Sequence, residues 1–171
     1  RKGEVFGLQW SDLDFSKKIL HVSHNLVDTD KIDTPKTQSS IRNILLSQKT
    51  VEVLKHWQKE QEEFAKEFGS SEFKNVLDFV FTNSTGHSVS VDNFLHRHWT
   101  KLCKAAEIPG GFTFHGLRRT HATLLLQQGC NVKAVSERLG HSDVAMTMRV
   151  YAQVLKSMQE EAVKVIDDFQ L

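Results

Sequence analysis

Apolar positions recur every three to four residues from Gln48 to Phe68, with Glu and Lys between them, and this period predicts a long amphipathic helix. Ahead of it, KKILHVSHNLV and SIRNILLS alternate apolar and polar residues in the manner of strands. The connecting DTDKIDTPKTQS is rich in turn formers, so a small antiparallel sheet or long hairpin is expected there. RKGEVFGLQW reads as the tail of a helix, and FVFTNSTGHSVS as a short strand and turn. Helices are expected from there to the end. SVDNFLHRHWTKLCKAAE is capped by Ser90 with Asp92 and broken at Pro109; FHGLRRTHATLLLQQ stops at Gly129; NVKAVSERL stops at Gly140; and Ser142 caps the helix leading toward Tyr151. Leu117, Leu124 and Leu125 are expected to pack inward. In the tail helix, 155–171, Leu155, Met158, Ala162, Val165 or Ile166 and Phe169 form one stripe, suited to packing on its own domain or on another chain. The fold class is mainly α with a small antiparallel β-sheet near the N-terminus.

The length of 171 residues suits one domain with a sizeable core, and 39% apolar with 25% charged residues is ordinary for a globular chain. No uninterrupted apolar stretch approaches the ~18 residues that span a bilayer, so no membrane role is expected. The chain opens on Arg1 rather than methionine, and a piece of a longer protein is expected. Cys103 and Cys130 lie far apart and fit neither a disulfide framework nor a CxxC metal pair, which favours a reducing, cytoplasmic setting. The net charge of +1 announces no nucleic-acid partner, but the distribution is uneven. Leu95 to His121 carries Arg97, Lys101, Lys104, Arg118 and Arg119 against Glu107 alone, whereas Glu60 to Asp78 is dominated by acids. One face suits phosphate while another repels it.

Candidate chemistry is concentrated near the end of the chain. GHSDVAMTMRVYAQV holds the single tyrosine, Tyr151, of a chain with eleven phenylalanines. The bland account of such a residue is a half-buried anchor with its hydroxyl bonded to backbone. In HGLRRTHATLLL, His115 and Arg118 are three apart and share a helix face. Arginines in a helix's first turns oppose the macrodipole unless an anion sits there, so the motif is either a solvated basic helix start or an anion site. Two other classes compete. NVKAVSERLGHSDVAMTMRVYA has the helix, glycine turn and second helix of a non-catalytic helix-turn-helix DNA reader. A metal-dependent nuclease would draw on His96, His98, His115, His121 and Cys130, but these spacings match no standard zinc set, and no acidic cluster suits magnesium.

Five segments, RKGEVFGLQWSD, TPKTQSSIR, HGLRRTHATLL, LGHSD and MRVYAQ, occur in an order that resembles the catalytic domain of a tyrosine recombinase of the phage-integrase family. The resemblance runs from Arg1 through the final helix, with His141 ten residues and Arg118 thirty-three residues before Tyr151. It implies that Arg1 is the first catalytic arginine, with Glu4 as its supporting acid. Lys36 is the mobile hairpin lysine that protonates the departing 5′ oxygen, with Lys31 a rival in the same hairpin. His115 and Arg118 form the second basic pair, His141 takes the histidine-or-tryptophan position, and Tyr151 is the nucleophile. Which histidine is the base stays open. Arg119 and Gln153 both stand where many of the family carry histidine. The implied reaction is DNA strand exchange through a 3′-phosphotyrosyl link, with no cofactor and no metal. The implied partners are double-stranded DNA attachment sites, met by Arg97, Lys101, Lys104 and Arg119, and three further copies in a tetramer joined through the C-terminal helix. Preceding arm-binding and core-binding domains, and a bacterial, nucleoid-associated location, follow from the same resemblance. HVSHNLVDTDKIDTPKTQSSIRNILLS looks closest to integrases of mobile elements.

Overall fold

A computed structural model of the chain describes residues 1–34, 40–68, 73–75 and 77–168, which divide into two units, Arg1–Phe114 and His115–Leu171. The first begins with helix α1, Lys2–Phe6, which lies against strand β3, Asn25–Asp28. Gly3 and Gly7, four apart and so on one helix face, make that approach possible. A Cβ on Gly3 would sit 2.2 Å from Asn25 Oδ1, and one on Gly7 would sit 2.7 Å from the Leu26 backbone nitrogen.

After a 3-10 turn at Trp10–Asp12 the chain forms β1, Leu13–Asp14, and β2, Ile19–Val22, in an antiparallel pair with Leu13 opposite Leu20. The other edge of β2 pairs with β5, Arg42–Leu45, in a register that sets Val22 opposite Arg42. β3 pairs instead with β4, Lys31–Asp33, through a bulge between Leu26 and Asp28. The expected strand KKILHVSHNLV is therefore two strands in two sheets. The interruption has a cause: the buried Asp12 carboxylate accepts from Ser23 Oγ at 3.0 Å and lies 3.2 Å from His24 Nδ1, which draws these two residues out of the ladder. A second departure is β4, which lies inside a stretch read as turn.

Helix α2, Gln48–Phe68, has the predicted bounds. Its buried Gln61 accepts from Trp10 Nε1 at 2.8 Å and donates to Thr82 Oγ1 at 3.1 Å, while Trp57 Nε1 donates to the Val80 carbonyl at 2.7 Å. The 79–88 segment contributes isolated bridges, Gln9 with Phe79 and Thr82 with Ser88, in place of a full strand. The helix expected from Ser90 is present in three parts: α3, Val91–Phe94; a π turn, Leu95–Trp99; and α4, Thr100–Ala105. Ser90 Oγ accepts from the Asn93 amide as the cap requires. Phe6, Leu26 and Phe79 form the buried core, ringed by Phe81, Phe94 and Phe114, with Phe6 and Phe94 edge to face at 5.1 Å. Phenyl rings suit this apolar packing, where a phenol would need a hydrogen-bond partner.

The second unit is helical. Helix α5, Phe114–Gln127, starts at the last residue of the first unit; α6 is Val132–Leu139, and α7 is Ala145–Asp168. Asn131 caps α6 by accepting from the amides of Lys133 and Ala134. The α6 C-terminus closes as a Schellman turn: Gly140, at φ 65°, donates to the Glu137 carbonyl, and the His141 amide donates to that of Ser136. Ala122, Leu126, Val135, Leu139 and Val154 form the core, with Leu125, Val150 and Tyr151 packed against it. Of the three leucines expected inward, Leu125 meets this core, whereas Leu117 and Leu124 are 45% and 56% exposed. Seven residues apart, those two share the face away from Ala122 and Leu126. Asp143, not Ser142, supplies the cap for α7, its Oδ1 accepting from the Ala145 amide at 2.8 Å. The segment expected as a tail helix is, through Asp168, the second half of the unbroken α7.

Gln61→Leu keeps most of the side-chain volume but leaves the Trp10 indole without its acceptor. It is expected to lower unfolding stability by about 1–3 kcal/mol, read as a shift of the urea midpoint at unchanged m-value.

Candidate active site

In the first unit the functional groups gather around Glu4. Arg42 grips this buried carboxylate with both terminal nitrogens, Nη2 to Oε2 at 2.9 Å and Nη1 to Oε1 at 3.3 Å. Arg1 Nη1 donates to Oε1 at 2.9 Å and to Ser40 Oγ at 2.5 Å. The Glu4 carboxylate therefore holds two like charges beside each other. Burial alone would raise the Glu4 pKa, but the Arg42 hydrogen bonds and the charges of Arg42 and Arg1 oppose it, and the carboxyl is held below its ordinary range. Glu4, expected as the supporting acid of Arg1, is in contact with its guanidinium. Arg42 was not singled out, because its partner lies 38 residues away in sequence. Its register opposite Val22 in β5 is what delivers it.

In the second unit, the groups converge on the C-terminal end of α6. Arg118, in α5, donates from Nη2 to the Leu139 carbonyl at 2.5 Å, at the helix end where the macrodipole is negative. Two residues on, His141 leaves the Gly140 turn, and its Nδ1 lies 2.8 Å from Thr147 Oγ1. Thr147 is fully buried and precedes Tyr151 by one turn of α7, so the two share a face. Tyr151 is half-buried and packs against the core that includes Leu139. One helix end thus anchors an arginine, a histidine and, through Thr147, the helix that carries the phenol. His115 is exposed, three residues before Arg118 on α5. Thr147 was not anticipated; a hydroxyl four residues before the tyrosine was its only signal.

The remaining candidates are more scattered. Arg97, Lys101 and Lys104 are exposed along the π turn and α4, and none of the three pairs with a carboxylate among the described residues. Arg119 donates from Nη2 to Gln153 Oε1 at 2.7 Å, linking α5 to α7. His121 Nε2 accepts from Arg138 Nε at 3.1 Å; burial and then the Arg138 charge lower its pKa, which keeps it a neutral acceptor. Lys31 is exposed in β4, and Lys36 lies outside the described residues. No group of three or more metal-ligating side chains occurs among the described residues, and Cys103 and Cys130 are free thiols. No helix there is long and apolar enough to cross a membrane.

Because folding lowers the Glu4 pKa, its stabilising effect is present above the unfolded value of about 4.3 and is lost as pH falls through the folded value. Glu4→Gln leaves Arg42 and Arg1 facing each other. It should cost about 3 kcal/mol at neutral pH, with the deficit relative to the unmodified chain narrowing below about pH 4 in denaturation series.

Similarity to known proteins covers nearly the whole chain. A XerC-like tyrosine recombinase from Caldanaerobacter subterraneus subsp. tengcongensis is 33% identical over 98% of this chain and 46% of the relative. The ICEBs1 integrase of Bacillus subtilis is 30% identical over 98% of this chain and 45% of its own length. The chain thus spans about half the length of the curated relatives it matches. Among solved structures, the Tn1549 transposon integrase in complex with circular intermediate DNA superposes with a TM-score of 0.73 at 26% identity, over 95% of this chain and 55% of that one. The mostly helical fold with its small antiparallel sheets is that of tyrosine recombinase catalytic domains. The sequence pattern of the phage integrase family extends over residues 1–158, through both arginine-bearing units and past Tyr151, and the chain belongs to that family.

Proposed function

We propose that this chain is the catalytic part of a site-specific recombinase of a mobile element, which breaks and rejoins DNA by metal-independent transesterification through Tyr151. The observation that carries the reading is the convergence of Arg118, His141 and the Tyr151 helix on the end of α6. Supporting it, relatives of similar sequence are named as integrases and tyrosine recombinases, and the Tn1549 integrase is described as bound to a circular intermediate DNA.

A phosphodiester repels nucleophiles, and attack builds further charge on its nonbridging oxygens. Arg1 and Arg118 stabilise that charge in the transition state, each with a planar fork that stays protonated. Tyr151 attacks phosphorus as its phenol loses the proton, with His115 or His141 assisting, and the 5′ oxygen leaves. The product is a 3′-phosphotyrosyl bond and a free 5′ hydroxyl. One phosphodiester has been exchanged for another ester of similar energy, so a new 5′ end can reverse the step without ATP. Lys36 protonates the departing oxygen, Lys31 being the alternative. Lys36 lies four residues from Ser40, which is at most about 14 Å of extended chain, and Ser40 bonds Arg1. Arg97, Lys101 and Lys104 hold backbone phosphate, as an exposed row of unneutralised cations does. The exposed Leu155, Met158, Val165 and Ile166 of α7 dock on neighbouring copies in a DNA-bound tetramer. The parent acts on chromosomal attachment sites in the bacterial cytoplasm.

Tyr151→Phe removes one oxygen and little volume, so DNA binding should persist while covalent capture on a nicked suicide duplex disappears. Retained adduct would show the nucleophile to be another residue, and an unmodified protein that binds DNA but never forms adduct would favour a helix-turn-helix reader. The reaction should be indifferent to EDTA.

Lys36→Ala in the full-length parent tests the acid. An alkoxide leaves poorly near neutral pH, whereas a 5′-bridging sulfur, with a thiol pKa of about 8.5, departs with little help. The variant should cleave the ordinary substrate ~10²–10⁴-fold slower and the sulfur substrate nearly as fast as the unmodified protein. Equal slowing on both would leave Lys36 a phosphate contact, and rescue of Lys31→Ala instead would move the role to that residue.

A further inference from the structure

Arg119 invites assignment to DNA on its charge alone, but its guanidinium is engaged within the protein. Gln153 Oε1 is its hydrogen-bond partner among the described residues, at a distance of 2.7 Å. Arg119 precedes the buried Ala122 by three residues, and Gln153 follows Val150, which packs on the same core, by three. Each therefore lies at the edge of the face by which its helix packs. Ala122 and Leu126 of α5 and Val154 of α7 belong to one apolar core, shared with Val135 and Leu139 of α6. Contacts within such a core are non-directional; on α7 the directional restraints include the Thr147–His141 contact one turn before Tyr151 and the Arg119–Gln153 bond just after it. The Arg119–Gln153 bond is exposed, but with an ionised donor it is short and directional and adds a restraint on roll that apolar contacts do not supply.

Roll matters here because Tyr151 is two residues from Gln153 on α7. A side-chain tip about 6 Å from the helix axis moves about 1 Å for each 10° of roll. A misplacement of about 1 Å in a reacting group can cost ~10²-fold in rate.

We propose that Arg119 and Gln153 are positioning residues whose hydrogen bond sets the roll of α7 and thereby the place of the Tyr151 hydroxyl during strand cleavage. The inference rests on the reading of Tyr151 as nucleophile. It assigns Arg119 a role that its charge does not suggest, and gives Gln153, the last residue of MRVYAQ, a role of its own beside the tyrosine.

The test uses the full-length parent and a nicked duplex spanning the junction between the mobile element and its host chromosome. Two quantities are measured: the single-turnover rate of adduct formation at saturating DNA, and DNA affinity across a salt series. Arg119→Ala and Gln153→Ala should each slow adduct formation by about 10-fold or more, with affinity and its salt dependence unchanged. The double variant should be no slower than the slower single, because both remove one bond. Gln153→Glu keeps the acceptor oxygen and should react nearly as fast as the unmodified protein, which separates positioning from general damage to the fold. Additive losses, unaltered single-variant rates, or a Gln153→Glu rate as low as that of Gln153→Ala would each overturn the proposal. So would an Arg119→Ala protein with an unchanged saturating rate and a logarithmic salt slope reduced by about one, the signature of a lost phosphate contact. An adduct that survives Tyr151→Phe would instead remove the nucleophile assignment, and this proposal with it.

Discussion

The carbonyl of Leu139 is the point on which the second unit's arrangement depends. An α-helix of eight residues is too short to persist by itself in water, and α6 is held by its caps and its packing. Its last carbonyls carry the negative end of the macrodipole, and Arg118 places a full positive charge there. That contact also resolves a conflict within α5, where an arginine in the early turns opposes that helix's own dipole. The two helices thereby satisfy each other. Arg118 is therefore already directed toward the end of α6, and His141 is carried to the same place by the Gly140 turn, a conformation that side chains other than glycine's adopt at a cost.

The first unit solves a different electrostatic problem with a similar economy of parts. Two guanidinium groups repel, and only a carboxylate shielded from water holds both with enough strength to fix either. Glu4 does this because α1 presses against β3 at Gly3 and Gly7, and because β5 pairs with β2 in the register that brings Arg42 back. A one-residue slip of β5 would turn Arg42 to the opposite face of the sheet. The sheet is small, but its register governs the surroundings of Arg1.

What could be read from sequence was whatever is encoded locally. The bounds of α2 followed from an uninterrupted period over Gln48–Phe68, and the end of α6 from a glycine where the chain must turn left-handed. His115, Arg118, His141 and Tyr151 were singled out by residue type and spacing, and the structure brings Arg118, His141 and the Tyr151 helix to one helix end. Features with distant partners were not. Asp12 breaks the strand at Ser23 and His24 from outside it, Arg42 finds Glu4 across 38 residues, and the polar stretch Lys31–Asp33 becomes a strand only because β3 is there to pair with it. The inward face of α5 was misread in phase: three leucines suggested it, while the packing is centred on Ala122 and Leu126. Thr147 escaped notice because a threonine within a helix signals nothing until its hydroxyl meets a histidine.

The aromatic composition has a practical corollary. Ring packing in this chain is built from phenylalanine and tryptophan, and the only phenol is that of Tyr151. Tyrosine labelled with carbon-13 at the ring carbon bearing the hydroxyl would therefore give one resonance from this chain, with no assignment problem. Its chemical shift would follow ionisation of that oxygen directly, and its line shape would report exchange between settings of α7. No substitution is needed to place this probe at the Tyr151 hydroxyl.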